Sequence, residues 1–271
     1  NPVFPPIVRG VEHTLDAHGY NAILADSGSK QRSEKGIIEN MKARQIDGLI
    51  LAAARRKDPI VNDCIEEGIP LVLVNRTVDT HNVAAVINDD ELGIELALKH
   101  LIELGHRCIA YIGGPQNTST GYTRYRTFLK MLKIFGLPVD RDLIVNAKAY
   151  TEPAGQAALE HIMEYEKKFT AILTANDLLA LGCYDAINEH GLNCPMDISV
   201  TGFNDMPYVD RFNPPLTTLH IPLDELGVQA ALLLLERMQN PGALAKQLRL
   251  APRMVIREST TSPAENTPPN K

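Results

Sequence analysis

The sequence predicts an α/β fold in which parallel sheets are flanked by helices and shared between two lobes. Three observations lead there. A pattern recurs along the chain: an amphipathic stretch, a glycine, then a short run of aliphatic and β-branched residues. Strands that alternate with helices imply parallel sheets wound by right-handed crossovers. At 271 residues the chain is long for one compact domain and suits two lobes. Hydrophobic residues make up 44% and aromatics only 5%, with no Trp, so an aliphatic α/β core fits better than a β-sandwich.

The glycines punctuate the elements. A glycine just past a helix supplies the left-handed cap, and a following apolar run reads as a buried strand. Gly19 precedes Tyr20-Asn-Ala-Ile-Leu-Ala25, and Gly68 precedes Ile69-Pro-Leu-Val-Leu-Val74. Gly105 leads into the strand 106–112, Gly136 into a weak strand near 143–145, and Gly191 into 198–202. Strands 47–51 and 170–174 lack that lead-in. Helices are predicted over 3–18, 29–44, 58–67, 90–104, 121–135, 153–168, 177–190 and 223–239. The last carries Leu226, Val228, Ala230, Ala231 and Leu232 through Leu235, which leaves little polar face. Such a helix is buried on more than one side. A subunit interface or burial within the chain would satisfy it.

The ends are unusual. The chain opens directly on a helix around Phe4, with no strand before it, although the first strand of a doubly wound sheet is usually central. The expectation is an upstream segment that includes the first core strand. Ser259 to Lys271 is rich in Pro, Thr and Asn and reads as a disordered tail.

Composition excludes several roles. The formal net charge is −6, from 27 Lys+Arg against 33 Asp+Glu, so the chain lacks a nucleic-acid footprint of its own. No apolar run reaches the roughly 18 residues of a membrane span. Cys64, Cys108, Cys183 and Cys194 show no CxxC and no spacing for zinc, and read as reduced thiols of a cytoplasmic protein. No metal or other cofactor is expected. The loop Gly113-Gly-Pro-Gln-Asn-Thr-Ser-Thr-Gly121 fits neither GxGxxG nor GxxxxGK[ST], and reads as a ligand-facing loop. There is no GxSxG elbow and no assembled nucleophile, base and orienter, so no enzyme is expected.

Seven stretches then occur in order. They are Asp47-Gly-Leu-Ile50; His100-Leu-Ile-Glu-Leu-Gly-His106-Arg; Ile109-Ala-Tyr-Ile-Gly-Gly-Pro115; Ala175-Asn-Asp-Leu-Leu-Ala-Leu-Gly182; Pro195-Met-Asp-Ile-Ser-Val-Thr-Gly-Phe-Asn-Asp205; Pro214-Pro-Leu-Thr-Thr-Leu219; and Val255-Ile-Arg-Glu-Ser-Thr260. Together they resemble the effector-binding region of bacterial LacI/GalR-type transcription regulators, over almost the whole chain. The resemblance implies a periplasmic-binding-protein-like type I fold: two Rossmann-like lobes joined by three crossovers. It assigns 1–88 plus 221–247 to one lobe, 89–220 plus 248–260 to the other, and 261–271 to a tail. It also implies a homodimer, a sugar-like small-molecule effector in the cleft between lobes, and operator DNA bound through a helix-turn-helix headpiece absent from this chain. A secreted sugar-binding protein of an uptake system is the alternative.

A hydroxyl-rich ligand needs directional hydrogen-bonding groups and an apolar face, and parallel α/β lobes offer them at the carboxyl ends of strands. Asn75, Asn176, Asn204 and Asp205 follow strands, Thr120 and Arg124 lie in and after the loop that follows strand 106–112, and Tyr150 ends a further segment. The resemblance places effector contacts on Phe4, Asn75, Thr120, Arg124, Tyr150, Asn176 and Asn204, with Asp205 ranked behind them. Arg124 is the foremost candidate, because a guanidinium grips adjacent hydroxyls or a carboxylate with a fixed fork. Asn176 equally fits a helix cap, and Asp205 a local backbone contact.

Overall fold

All five glycines that the sequence marks as helix ends are left-handed, from φ +67° at Gly136 to φ +104° at Gly105. A side chain is disfavoured in that region, which is why glycine closes these helices. The structure, a computed structural model, describes residues 2–26, 34–79, 83–165 and 167–263. Among them the helices are α1 (Phe4–Asp16), α2 (Glu34–Ala43), α3 (Pro59–Glu66), α4 (Asp90–Glu103), α5 (Ser119–Ile134), α6 (Glu152–Met163), α7 (Asp177–Glu189) and α8 (Leu223–Gln239). The strands are β1 (Leu49–Leu51), β2 (Leu71–Val74), β3 (Ala84–Asn88), β4 (Ile109–Gly113), β5 (Ile144–Asn146), β6 (Ala171–Thr174), β7 (Ser199–Thr201), β8 (Thr218–His220), β9 (Gln247–Leu250) and β10 (Arg253–Val255).

The chain divides into two units. Unit 1 comprises Asn1–Asn88, Asn117–Ser119 and Pro222–Leu250; unit 2 comprises Asp89–Gln116, Thr120–Ile221 and Ala251–Lys271. Unit 1 holds a parallel sheet in the order β1-β2-β3-β9, and unit 2 a parallel sheet in the order β5-β4-β6-β7. An antiparallel pair, β8 with β10, completes unit 2. This is the parallel α/β architecture that the glycine-led pattern predicts.

In unit 1, α8 lies between α1 and the sheet, touching β1, β2 and β3. Most of its apolar surface is thereby covered within the chain, with Leu232 left exposed, so burial within the chain accounts for most of its composition without a subunit interface. The α1–α8 contact is close. A Cβ on Gly227 would lie 2.1 Å from the Ile7 carbonyl, and one on Gly10 would lie 2.2 Å from that of Asp224. The α6–α7 pair of unit 2 uses the same device: a Cβ on Gly182 would sit 2.0 Å from the Glu152 carbonyl. Around it, Ile112, Leu159, Ile162, Ile172, Leu179 and Ile187 form a fully buried aliphatic core.

Several predicted elements differ. Tyr20–Ala25 is not a strand: Ile23 and Leu24 are exposed, and no described strand supplies the hydrogen-bond ladder that an extended segment needs. Helix 153–168 stops at Met163, because Thr170 already bonds to the Cys108 carbonyl on the way into β6. Residues 29–33 of helix 29–44 lie outside the described residues. Strands β3, β8, β9 and β10 have no counterpart in the sequence reading. The Pro/Thr-rich end is not loose from Ser259 onward. Ser259 is fully buried, its hydroxyl donates to the Val200 carbonyl at 2.6 Å, and it accepts from the Thr217 N–H. Thr261 donates to the Ser199 hydroxyl, and its carbonyl meets His106 Nε2 at 2.9 Å. Residues 264–271 lie outside the described residues.

Candidate functional site

Three strands of unit 2 end side by side, since Ile112 pairs with Thr174 and Leu173 with Thr201. The residues just beyond those ends are the ones a ligand meets in a parallel α/β sheet. Arg124, on α5, reaches this level and is 97% buried. Its Nε donates to Asp90 Oδ1 at 2.9 Å, its Nη2 lies 2.7 Å from the same oxygen, and its Nη1 donates to the Ala175 carbonyl. The guanidinium stacks on the Phe203 ring at 3.6 Å from the centroid. A cation over an aromatic face, away from water, gains both electrostatic attraction and packing. Burial works against the charge, but the Asp90 carboxylate outweighs it, so Arg124 is held above its ordinary value. Asp90 itself stands in the first turn of α4, where the helix dipole favours a carboxylate.

Thr120 and Tyr150 meet, hydroxyl to hydroxyl, at 3.1 Å. Tyr150 packs its ring over Gly114, where a Cβ would fall 2.2 Å from the ring. The loop between Gly113 and Gly121 is held by Gln116, whose amide reaches the Gly114 and Gly121 carbonyls and Asn146 Oδ1 within 3.1 Å. In the same electrostatic neighbourhood lies Tyr111, fully buried and stacked on Phe128, with no hydrogen-bond partner for its hydroxyl among the described residues.

Asn176 is the N-cap of α7: its Oδ1 accepts from the Leu179 N–H at 2.9 Å. Asn204 and Asp205 both have positive φ, +115° and +56°. Such conformations are costly for non-glycine residues and persist where surrounding contacts enforce them. Asn204 is fixed by its N–H to the Leu219 carbonyl. Asp205 bonds no neighbouring backbone amide; it pairs with His220 Nδ1 at 2.9 Å and Arg257 Nη2 at 2.7 Å. Asp177 is fully buried beneath them. It accepts from the Met206 N–H and the Thr218 hydroxyl, yet burial pushes its carboxyl up to about 7, with Asp205 adding to the effect.

In unit 1, Phe4 begins α1 and is half-buried. Asn75 ends β2 with φ +64°, donates its N–H to the Val86 carbonyl, and accepts from Asn88 Nδ2 at 3.1 Å. Asn88 closes β3, and its own Oδ1 is buried without a partner among the described residues.

Unit 2 thus brings Thr120, Arg124, Tyr150, Asn176 and Asn204 to one end of one sheet, while Phe4 and Asn75 belong to unit 1. Sequence reasoning missed Asp90, Phe203 and Asn88, and it named Asp205 without its partners His220 and Arg257. Asp90 reads in sequence as an ordinary first-turn acid, and Phe203 as one more core residue. The cysteines form no disulfide among the described residues. Burial raises the thiols of Cys64, Cys108, Cys183 and Cys194, the last to about 12, which makes them poor nucleophiles. Among the described residues no three His, Cys, Asp or Glu side chains gather as metal ligands, and no helix is long and apolar enough to cross a membrane.

Comparison with known proteins agrees with this fold. Residues 98–260 match the periplasmic binding protein-like domain family. The chain is 31% identical to the HTH-type transcriptional repressor PurR of Photorhabdus laumondii over 95% of its own length and 76% of that protein's. It superimposes on the CelR–cellobiose complex with a TM-score of 0.89 at 28% identity, covering 96% of this chain and 79% of the other. It matches a LacI family transcriptional regulator from Enterococcus faecium with bound ribose at a TM-score of 0.83 and 28% identity, covering 97% and 95%. These relatives are transcription regulators and not enzymes, which disfavours both the catalytic and the transport readings. The chain belongs to the LacI/GalR family of transcription regulators and forms the effector-binding core of a repressor of that type.

Proposed function

We propose that this core takes a small sugar-like effector at the strand ends of unit 2, with Arg124 as its principal polar contact. Binding would modulate operator DNA recognition by an N-terminal helix-turn-helix headpiece, in a cytoplasmic homodimer. The carrying observation is Arg124: a buried guanidinium, held by Asp90 and the Ala175 carbonyl, belongs to the same end of the unit 2 sheet as the Thr120–Tyr150 hydroxyl pair. Tyr150 adds an aromatic face, which suits the C–H face of a sugar ring. The ribose and cellobiose complexes of similar regulators support the ligand class. An effector shifts a conformational equilibrium only by its difference in affinity for the two states, so its contacts must differ between them.

The test is calorimetric. A thermal-shift screen of neutral mono- and disaccharides identifies a binder, and Arg124→Lys is then titrated with it. Lysine keeps the charge that Asp90 needs but loses the planar fork, so affinity should fall about 10- to 100-fold. Unchanged affinity would remove Arg124 from the site. No stabilising sugar in the screen would count against the ligand class.

A further inference from the structure

We propose that Asp90 sets the charge selectivity of the Arg124 site, so that it accepts uncharged, hydroxyl-bearing ligands and rejects carboxylates and phosphates. The inference rests on the reading of Arg124 as an effector contact and adds the chemical class that this contact selects.

An arginine at a ligand site is ordinarily a magnet for anions, because its fork matches carboxylate and phosphate oxygens. Here Asp90 occupies one side of that fork. Nε and Nη2 converge on one Asp90 oxygen at 2.9 and 2.7 Å, and Nη1 is committed to the Ala175 carbonyl. Phe203 covers a face of the guanidinium. What is left is hydrogen-bonding capacity on Nη1 and Nη2, with the positive charge already balanced. Arg257, at the same sheet end, is likewise paired, with Asp205 at 2.7 Å. Both of these guanidinium charges are thus already matched by carboxylates, and an incoming anion would face the buried Asp90 carboxylate as well as Arg124. Specificity of this kind comes from a repulsive element set against the wrong ligand. A sugar hydroxyl, able to accept from the remaining N–H groups without bringing charge, meets no such obstacle. Asp90 is fixed by its place in the first turn of α4 behind the Asp89 cap, whose side chain accepts from the Leu92 N–H at 3.0 Å.

Replacing Asp90 by asparagine removes the charge at nearly constant shape and leaves a buried guanidinium uncompensated, which then recruits an anion. The experiment measures thermal shifts and calorimetric affinities of the wild-type chain and Asp90→Asn for inorganic phosphate, D-ribose and D-ribose 5-phosphate. Wild type is expected to bind neither anion appreciably. Asp90→Asn should gain at least about tenfold in affinity for phosphate, and that gain should vanish in an Asp90→Asn, Arg124→Gln double variant. Overturning results are tight phosphate or ribose 5-phosphate binding by wild type, or no gain in folded Asp90→Asn. If Asp90→Asn lacks a native circular dichroism spectrum, Asp90→Ser, a short neutral residue tolerated in a first helical turn, replaces it under the same criteria. Ribose serves as the independent arm. Failure of ribose and the other neutral sugars to bind wild type counts against the sugar reading, whereas the phosphate arm reports on Asp90 alone.

Discussion

The two units finish their parallel sheets with different pairings. In unit 1 two amides, Asn75 and Asn88, on adjacent strands, bond to each other at 3.1 Å, beside Arg76, whose Nη1 donates to the Ala53 carbonyl just past β1. Unit 2 places ionisable groups there, with Arg124 against Asp90, Asp205 between His220 and Arg257, and Asp177 beneath. Away from these ends the units are alike, since both pack a helix pair through glycines in van der Waals contact with backbone. The difference teaches where geometry is fixed. A buried charge is tolerated only with its partner in place, so each one fixes a geometry, whereas an amide pair tolerates rearrangement at small cost.

The most disruptive way to break the contrast is to orphan a charge. Arg124→Ala should lower the unfolding free energy by about 3–5 kcal/mol, because the buried Asp90 carboxylate loses its ion-pair partner. Asn75→Ala should cost only about 1 kcal/mol. Urea denaturation of the two variants checks the ratio; equal losses would erase the distinction between units.

A pH series sharpens it. Asp177 is pushed up to about 7 in the fold from an ordinary value of 3.8, so the folded state favours its protonated form. Its contribution is therefore complete below about pH 4 and is lost as pH rises through about 7. Asp177→Asn mimics the protonated acid: one end still accepts from Met206 N–H, and the other can donate to the Thr218 hydroxyl. Between pH 5 and pH 8 the wild type should lose on the order of 2–4 kcal/mol more than this variant. Parallel stability curves would refute the assignment.

Smaller effects test the shared packing. Gly182→Ala and Gly227→Ala should each cost about 1–3 kcal/mol, since the added carbon meets a carbonyl near 2 Å in both units. Thermal melts that spare one of them would show that its helix pair slides apart freely. Asn176→Ala should cost about 1 kcal/mol through loss of the α7 cap. An additional loss of effector affinity in that variant would mark Asn176 as a ligand contact as well.

How much of this was legible in the sequence depends on the range of the interaction. Gly19, Gly68, Gly105, Gly136 and Gly191 were legible because a left-handed cap is a local demand. Strand β9 was not: its residues are largely exposed, and its partner β3 lies far back in the chain. Tyr20–Ala25 carries a strand's composition without a strand's neighbours. Arg124 was legible as a candidate through the ordered motifs. Its partner was not, because Asp90 stands 34 residues away and reads in one dimension as an ordinary first-turn acid behind the Asp89 cap.

By itself the sequence determined the α/β class, the five glycine-capped helix ends and the regulator family, because periodicity, punctuation and motif order are properties of contiguous chain. Tertiary structure alone decided which charges share a buried space. It joined Asp90 to Arg124, Asp205 to Arg257 and His220, and Ser259 to the unit 2 sheet, since the cost of desolvating a polar group is settled only when distant segments close over it.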